Sequence, residues 1–329
     1  MTGIWMWSDS LAAIGAEKAV SLCCQAGITD VFFLAKGLSG RAAFAGSEAP
    51  ACADGRDLLG ELLEPAHRRG VRVHAWLASG WDDHYRAAHP ESGRAHYVRG
   101  RDKGLISLAD PGYQDYLRRI IGSLCVRYEI DGLHLDYIRY NHLLYGWDDR
   151  DRARYAAAGA DPVRLKELME RTFLSESPDD TYAFDALRAG DPSAAALARV
   201  RRADVVRFAR SLCAAAKEAR PGLTLSAALM PEGAYKDTAF ADLHYGQNYE
   251  DAAKLYDFVV PMAYAREYGQ GSGWVREVAE GSLRRGLKTV VGLFAPEGKE
   301  DPLLQADLSA LKGVHADGVC YFRFGTYFR

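Results

Sequence analysis

The chain has 329 residues, of which 48% are hydrophobic and 26% charged, with a net charge of −3 and a pI of about 6.3. This length suits one large α/β domain or two small ones, and the composition is ordinary for a globular enzyme. Nothing in this nearly neutral charge suggests a nucleic acid or an anionic membrane as a partner. Because "MTGIWMWSDS" at the N-terminus has the pattern of neither a signal peptide nor a membrane span, we expect a cytoplasmic protein.

Short apolar runs recur along the chain and predict eight β-strands. In chain order they lie near 3–8, 30–37, 71–79, 131–140, 223–230, 257–264, 288–295 and 317–324. Helical patterns lie between them, among others at 10–26, 56–70, 112–128, 200–219 and 301–312.

This alternation is typical of a (β/α)8 barrel, and we predict one such catalytic domain over residues 1–329. A doubly wound sheet is the competing fold, but no G-x-G-x-x-G follows the first strand. Few residues follow the eighth strand, so the usual final helix should be missing or supplied elsewhere.

Two segments are longer than ordinary strand-to-helix loops. Residues 80–110 follow the third strand, and an insertion at about 141–199 follows the fourth. Both should rise from the C-terminal face, where barrel enzymes carry their sites, and unusually long loops are often functional. We therefore expect at least one of them to shape a substrate cleft, although tolerated surface insertions are the alternative.

The fourth strand, "DGLHLDYIRY" at 131–140, carries charged groups in a segment otherwise built for burial. Side chains alternate along a strand, so an apolar face toward the helices turns His134 and Asp136 into the barrel. Asp136 should then lie near the C-terminal mouth, with His134 one layer below. A buried carboxylate needs partners, and His134 and Arg139 are the candidates to keep it ionised. The alternative is a purely structural network inside the barrel.

This decapeptide resembles the fourth-strand motif of the glycoside-hydrolase-like family 10 proteins, DG-[IL]-H-x-D-x-I-R-Y. Three further stretches resemble segments of the same family: "LADPGYQDYLRRII", "VHAWL" at 73–77 and "GQNYEDAAKLYDFVVPMAY" at 246–264. The resemblance covers about residues 70–265 and implies a barrel glycosidase that acts on an oligosaccharide or glycoconjugate.

An Asp at the end of strand four is also similar to the nucleophile strand of the α-amylase superfamily. That similarity implies Asp136 as nucleophile, an acid at the end of strand five, and retention of anomeric configuration. Strand five ends "ALMPEG", which makes Glu232 the candidate general acid/base. No Asp follows strand seven, where "LFAPEG" supplies Glu297 instead; Asp82, Asp83 and Glu297 are the alternatives for the second carboxyl group.

Other side chains near strand ends are candidates for substrate binding. Trp and Tyr can stack on the apolar face of a pyranose, although aromatic residues at a barrel mouth are equally often packing. A Lys at a strand end rarely serves the core, and a cap for the following helix is the alternative role of Gln247. The candidates are Trp5, Trp7, Lys36, Trp76, His134, Arg139, Gln247, Tyr264, Tyr321 and Arg323.

Two other classes of protein stay open at this point. A metal-dependent barrel hydrolase or isomerase would use the H-x-D of strand four with His74, but no H-x-H or H-E-x-x-H occurs. The other is a non-catalytic carbohydrate-binding barrel. We expect no metal or other cofactor and a carbohydrate partner; the sequence does not indicate an oligomeric state, a sugar or a linkage.

Overall fold

In the computed structural model, which describes residues 1–52, 54–235 and 237–328, eight parallel strands surround a common axis. Hydrogen-bonded neighbours follow the order β6-β5-β4-β3-β2-β1-β8-β7. The bridges Val259–Thr289 and Met262–Gly292 link β6 to β7, so the barrel is nearly closed. The strands are β1 (Thr2–Met6), β2 (Asp30–Lys36), β3 (Arg72–Ala78), β4 (Gly132–Asp136), β5 (Thr224–Leu229), β6 (Phe258–Pro261), β7 (Val290–Phe294) and β8 (Gly318–Phe322).

Helices follow the strands and cover the outside of the sheet. They are α1 (Ser8–Ile14), α2 (Ala16–Gln25), α3 (Leu58–Arg68), α4 (Asp83–Ala88), α5 (Pro111–Arg127), α6 (Asp149–Ala157), α7 (Pro162–Met169), α8 (Tyr182–Arg188), α9 (Pro192–Ala219), α10 (Tyr249–Ala252), α11 (Ser272–Arg284), α12 (Pro302–Ala310) and α13 (Phe324–Tyr327). The fold is a (β/α)8 barrel, as the sequence predicted.

Four of the helices begin with the same dipeptide, Asp-Pro. The Asp side chain accepts a hydrogen bond from a backbone N–H of the first turn, and Pro occupies the first helical position, where no N–H is needed. This local chemistry fixes the starts of α5, α7, α9 and α12, at Asp110, Asp161, Asp191 and Asp301.

Two helix predictions needed correction. The stretch 10–26 forms two helices, because Gly15 adopts a φ of 80° between them. The helix predicted at 200–219 begins earlier, at Pro192, inside the predicted insertion at about 141–199. β8 is followed in the described part of the chain by the single turn α13.

The segment between β4 and α9 builds a second hydrophobic core. Helices α6, α7 and α8 pack with the first turns of α9 around side chains such as Trp147, Tyr155, Met169, Phe184 and Leu197. The barrel side chains form separate clusters inside and outside the sheet. The insertion is therefore a packed layer on the C-terminal face of the barrel. Among the described residues, no helix is long and apolar enough to cross a bilayer.

Candidate active site

A pocket of about 250 Å³ opens at the C-terminal end of the barrel. Its walls are mostly aromatic and come from β1, β3, β6, β8 and the turn after β4: Trp5, Trp7, Trp76, Tyr137, Tyr264 and Phe322. Asp136 and Arg139 supply the charged groups of its lining. A concave, mainly apolar pocket with a few convergent polar groups is the usual form of a small-molecule site.

Three donors hold the carboxyl group of Asp136, which is 5% exposed. Oδ1 accepts from the backbone N–H of Tyr137 at 2.6 Å and from Nη1 of Arg139 at 3.2 Å. Oδ2 accepts from the indole Nε1 of Trp76 at 3.3 Å. These three hydrogen bonds fix the orientation of the Asp136 carboxyl group in the pocket wall.

The turn after Asp136 has an unusual backbone. Tyr137 has a φ of 58°, in the left-handed region that residues with a side chain seldom adopt. Gly80 passes so close that a Cβ there would lie 2.1 Å from the carbonyl oxygen of Tyr137. The ring of Tyr137 in turn packs against the guanidinium group of Arg139, with 4.5 Å between the ring centroid and Cζ. This turn presents Asp136, Tyr137 and Arg139 to the same pocket.

Two buried arginines fix the chain that carries Arg139. Arg94 donates to the carbonyl oxygens of Arg139 and Ile106, at 2.8 and 2.6 Å. Arg201 donates to carbonyl oxygens of the insertion, and both guanidinium groups pack on the ring of Tyr140, at 4.7 and 3.8 Å. Backbone carbonyls thus accept from the terminal nitrogens of both guanidinium groups, and these bonds join the loop after β3 to the turn after β4.

Below the pocket, a hydrogen-bonded chain crosses the barrel from Trp5 through His134 to Ser226. The indole of Trp5 donates to Nε2 of His134 at 3.2 Å, so Nε2 carries no proton. The neutral ring then carries its proton on Nδ1, which lies 2.9 Å from Oγ of Ser226. Burial lowers the pKa of His134 well below its usual value. His134 therefore contacts neither Asp136 nor the pocket, and the expected ionic support of Asp136 by this residue is wrong; Arg139 fills that role.

Glu232 follows β5 in a short 3-10 turn, Pro231–Ala234, at the same end of the barrel. It is half-buried, and its oxygens accept hydrogen bonds from Tyr245 Oη at 3.1 Å and from Tyr268 Oη at 3.5 Å. Burial raises the pKa of Glu232 above its usual value, while the two phenols and the nearby charge of Arg139 act in the opposite direction. A raised pKa is the direction that a general acid needs.

Lys36 was predicted to contact substrate, but its ammonium group is fully buried. Nζ lies 2.8 Å from Oδ2 of Asp82, and both side chains have no exposed surface. Asp82 also caps α4 through the backbone N–H of Tyr85. This ion pair ties the end of β2 to the loop after β3, and it leaves neither residue available to a sugar.

Three other predicted contacts have different surroundings. Gln247 accepts from Met230 N and donates to the carbonyl oxygen of Ile138, so it links the chain after β5 to the chain after β4. Tyr321 faces outward and stacks on Tyr327 at 4.6 Å. Cζ of Arg323 lies 3.5 Å from the ring centroid of Trp7, a residue that lines the pocket.

The alternative carboxyl groups lie apart from this arrangement. Asp83 is exposed and accepts from the Trp81 indole at 3.0 Å. Glu297 is exposed and pairs with Arg266 at 2.7 Å. His74 pairs with Asp30 at 3.0 Å below the pocket. The described residues contain no group of three or more His, Cys, Asp or Glu side chains arranged to hold a metal ion.

Several lining residues were missed from the sequence. Phe322, rather than Tyr321, faces inward from β8, and strict alternation from Cys320 would have found it. Tyr137 lines the pocket only because of its left-handed turn. Tyr245 and Tyr268, which bind Glu232 and are not among the residues that line the pocket, follow it by 13 and 36 residues, and no local signal marked them.

The model of the family "Glycosyl hydrolase-like 10" matches residues 44–296, more than half of the chain. The chain belongs to this family. Asp136, Arg139 and Glu232 all lie inside the matched segment, so the glycosyl hydrolase-like 10 assignment covers the candidate site. No curated protein sequence matches the chain significantly.

Solved structures similar to this glycosyl hydrolase-like 10 barrel are themselves glycoside hydrolases. The PgaB (BpsB) glycoside hydrolase domain from Bordetella bronchiseptica is 17% identical, with a TM-score of 0.66 over 89% of this chain and 83% of that one. The β-amylase catalytic domain from Paenibacillus polymyxa is 10% identical, with a TM-score of 0.69 over 99% of this chain and 92% of that one. A β-galactosidase from Halorubrum lacusprofundi is 15% identical, with a TM-score of 0.68, and the chain spans 52% of it. At these identities the similarity shows the fold alone.

Proposed function

We propose that this glycosyl hydrolase-like barrel is a retaining glycoside hydrolase that acts on an oligosaccharide or glycoconjugate. The observation that carries the proposal is the carboxyl group of Asp136, oriented by Trp76, Tyr137 and Arg139 in the wall of an aromatic pocket. Barrel enzymes place their chemistry at this end of the strands. The family match and the glycoside hydrolase neighbours support the same class of protein.

The two carboxyl groups have environments that suit different roles. Glycoside hydrolysis with retention needs one ionised carboxyl group as nucleophile and one protonated group as acid. Asp136 attacks the anomeric carbon and forms a glycosyl ester, while Glu232 gives its proton to the departing glycosidic oxygen. Glu232 then removes a proton from water, the water oxygen bonds to the anomeric carbon, and the ester bond to Asp136 breaks. Charge-assisted bonds to Asp136 and the raised pKa of Glu232 support this division.

The aromatic walls supply the surface for the sugar ring. Trp7 and Tyr264 are half-buried and line the pocket on the side of β1 and β6, and Trp76 lines it from β3. An indole or phenol ring packs against the C–H face of a pyranose, and its N–H or O–H can bind a hydroxyl group. Arg323 supports the ring of Trp7 from one side.

The test is a screen of chromogenic glycosides and oligosaccharides with the wild type and Asp136→Asn. We expect turnover of at least one substrate, and a loss of at least about 10³-fold in Asp136→Asn, as for other nucleophile deletions. Sugar binding by the variant should persist. Equal turnover by both proteins would remove Asp136 from the reaction. The anomer first released, followed by NMR, should have the configuration of the substrate; the inverted anomer would recast Asp136 as a general base.

A non-catalytic carbohydrate-binding barrel is the second candidate. The observation in its favour is that Arg139 and the Tyr137 N–H both occupy Oδ1 of Asp136, which is how a structural carboxylate is held. In that case the screen would find binding without turnover. Asp136→Asn would then lower the free energy of unfolding, and there would be no activity for it to reduce.

A further inference from the structure

A second cavity of about 380 Å³ lies beside the aromatic pocket, between the loop after β3 and the insertion after β4. Its walls include Trp81, His96, Arg99, Lys103, His142 and Tyr145. The ring of Trp81 lies 6.0 Å from that of Tyr137, which lines the aromatic pocket. The two spaces are therefore neighbours, separated by this pair of rings.

The two histidines of the second cavity are fixed as hydrogen-bond donors. Nδ1 of His96 accepts from the backbone N–H groups of Val98 and Arg99, at 3.1 and 3.2 Å. Nδ1 of His142 accepts from the backbone N–H of Leu144 at 3.1 Å. Burial lowers the pKa of both rings, to about 4 for His142, so each is neutral near pH 7. A neutral ring whose Nδ1 accepts has its proton on Nε2 and donates there.

The cations of the cavity are only partly compensated. Arg99 pairs with Asp102 at 2.6 Å, and Tyr145 Oη donates to the same carboxyl group. Lys103 lies 6.0 Å from the centroid of the Tyr145 ring, and no carboxylate of residues 1–52, 54–235 or 237–328 forms an ion pair with it. The cavity thus offers one positive charge in excess, together with several N–H donors.

The same cavity offers flat apolar surface. The rings of Trp81 and Tyr145 line it, and a sugar ring can pack against an indole or a phenol.

We propose that this second cavity is a subsite for a sugar residue that carries an anionic group, either the carboxylate of a uronic acid or a sulfate ester. The anion lies against Lys103 and Arg99, and the sugar ring packs on Trp81. The proposal rests on the proposed function in one respect: this residue belongs to the same chain whose glycosidic bond lies beside Asp136. It narrows the substrate to acidic or sulfated oligosaccharides.

Binding can be measured without turnover by NMR titration of the Asp136→Asn protein. The probes are glucuronate, glucose 6-sulfate, glucose and inorganic sulfate. At least one of the two anionic sugars should bind about tenfold or more tightly than glucose, because hydrogen bonds to charged groups contribute at least this factor. Whichever of the two binds more tightly identifies the carboxylate or the sulfate ester as the preferred group. Equal binding of glucose, or inorganic sulfate binding as tightly as both anionic sugars, would overturn the proposal.

Variants assign the effect to this cavity. In Arg99→Gln/Lys103→Gln the preference for the anionic sugar should disappear, whereas Lys103→Arg should keep it. Lys18→Gln, which removes an exposed cation on α2, is the matched control and should change nothing. A preference that survives the double substitution would place the anion elsewhere and refute the subsite.

The two proposals fail separately. Hydrolysis of neutral glycosides with no anionic preference would leave the proposed function intact and remove the subsite. Anionic sugar binding that depends on Arg99 and Lys103, with no hydrolysis of any substrate, would keep the subsite and remove the glycosidase.

Discussion

Arg139 donates a hydrogen bond from Nη1 to Oδ1 of Asp136 across 3.2 Å, three residues further along the chain. Both side chains are largely buried, at 8% and 5% exposure, so solvent screens the pair weakly. The same positive charge also lowers the pKa of Glu232 against the effect of burial. One guanidinium group therefore influences both proposed catalytic carboxyl groups.

Arg139→Gln should lower kcat/KM by about 10²-fold, because it removes a positioned donor to Asp136. It should also move the alkaline limit of activity to higher pH, since loss of the positive charge lets the pKa of Glu232 rise further. The measurement is a pH profile of kcat/KM. Arg139→Lys keeps the charge and should keep the wild-type limit. An unchanged alkaline limit in Arg139→Gln would separate Arg139 from Glu232.

Glu232→Gln should abolish the alkaline limb itself. Activity that needs the protonated acid is present below its pKa and is lost as the pH rises through it, and burial places that pKa above the usual 4.5. Substrates with poor leaving groups should slow by about 10²–10⁴-fold, and activated aryl glycosides much less. Glu297→Gln is the control. It removes an exposed carboxyl group that pairs with Arg266, and it should behave as wild type. Equal slowing of both substrate types would argue against an acid role for Glu232.

Gly80→Ala should disturb the turn that presents Asp136. The new Cβ would lie 2.1 Å from the carbonyl oxygen of Tyr137, so that backbone must shift. We expect a loss of about 1–3 kcal/mol in the free energy of unfolding and about 10²-fold in kcat. In Gly122→Ala, where a Cβ meets nothing within 4 Å in α5, stability should instead rise by roughly 0.5–1 kcal/mol. Urea unfolding and steady-state kinetics measure both; a fully active Gly80→Ala would contradict the prediction.

Lys36→Met should destabilise the fold without weakening substrate binding. It leaves the buried carboxylate of Asp82 unpaired, which costs about 3–5 kcal/mol in the free energy of unfolding. Lys36→Met/Asp82→Asn removes that charge and keeps a side chain that can cap α4, so it should recover part of the loss. KM at a temperature where the variant is folded should equal the wild-type value. A stable Lys36→Met protein with a raised KM would restore the substrate role of Lys36.

The barrel could be predicted from the sequence because each strand is a short apolar run with its own boundaries. Seven of the eight strands lie within the predicted stretches, and β1 begins one residue earlier, at Thr2. The direction of Asp136 also followed from alternation along β4. The same alternation along β8 turns Phe322 inward and Tyr321 outward, so the sequence already indicates that Tyr321 does not face the pocket.

Lys36 and Glu232 show what a sequence cannot supply. The partner of Lys36 is Asp82, which the loop after β3 brings to the end of β2, and a register shift between Leu34 and Lys36 changes the pairing at that point. Tyr245 and Tyr268 reach Glu232 only through the folding of two loops. Such partners depend on loop conformation, which has no periodic signal along the chain.

The chain from Trp5 through His134 to Ser226 is neutral near pH 7 and lies directly below the pocket. The charged side chains that line the pocket, Asp136 and Arg139, stand at the end of β4 and in the turn after it, and Glu232 stands in the turn after β5. Substitutions at the mouth of the barrel are therefore the place to shift a pH optimum in this scaffold. The hydrogen bonds that cross the interior of the barrel can stay as they are.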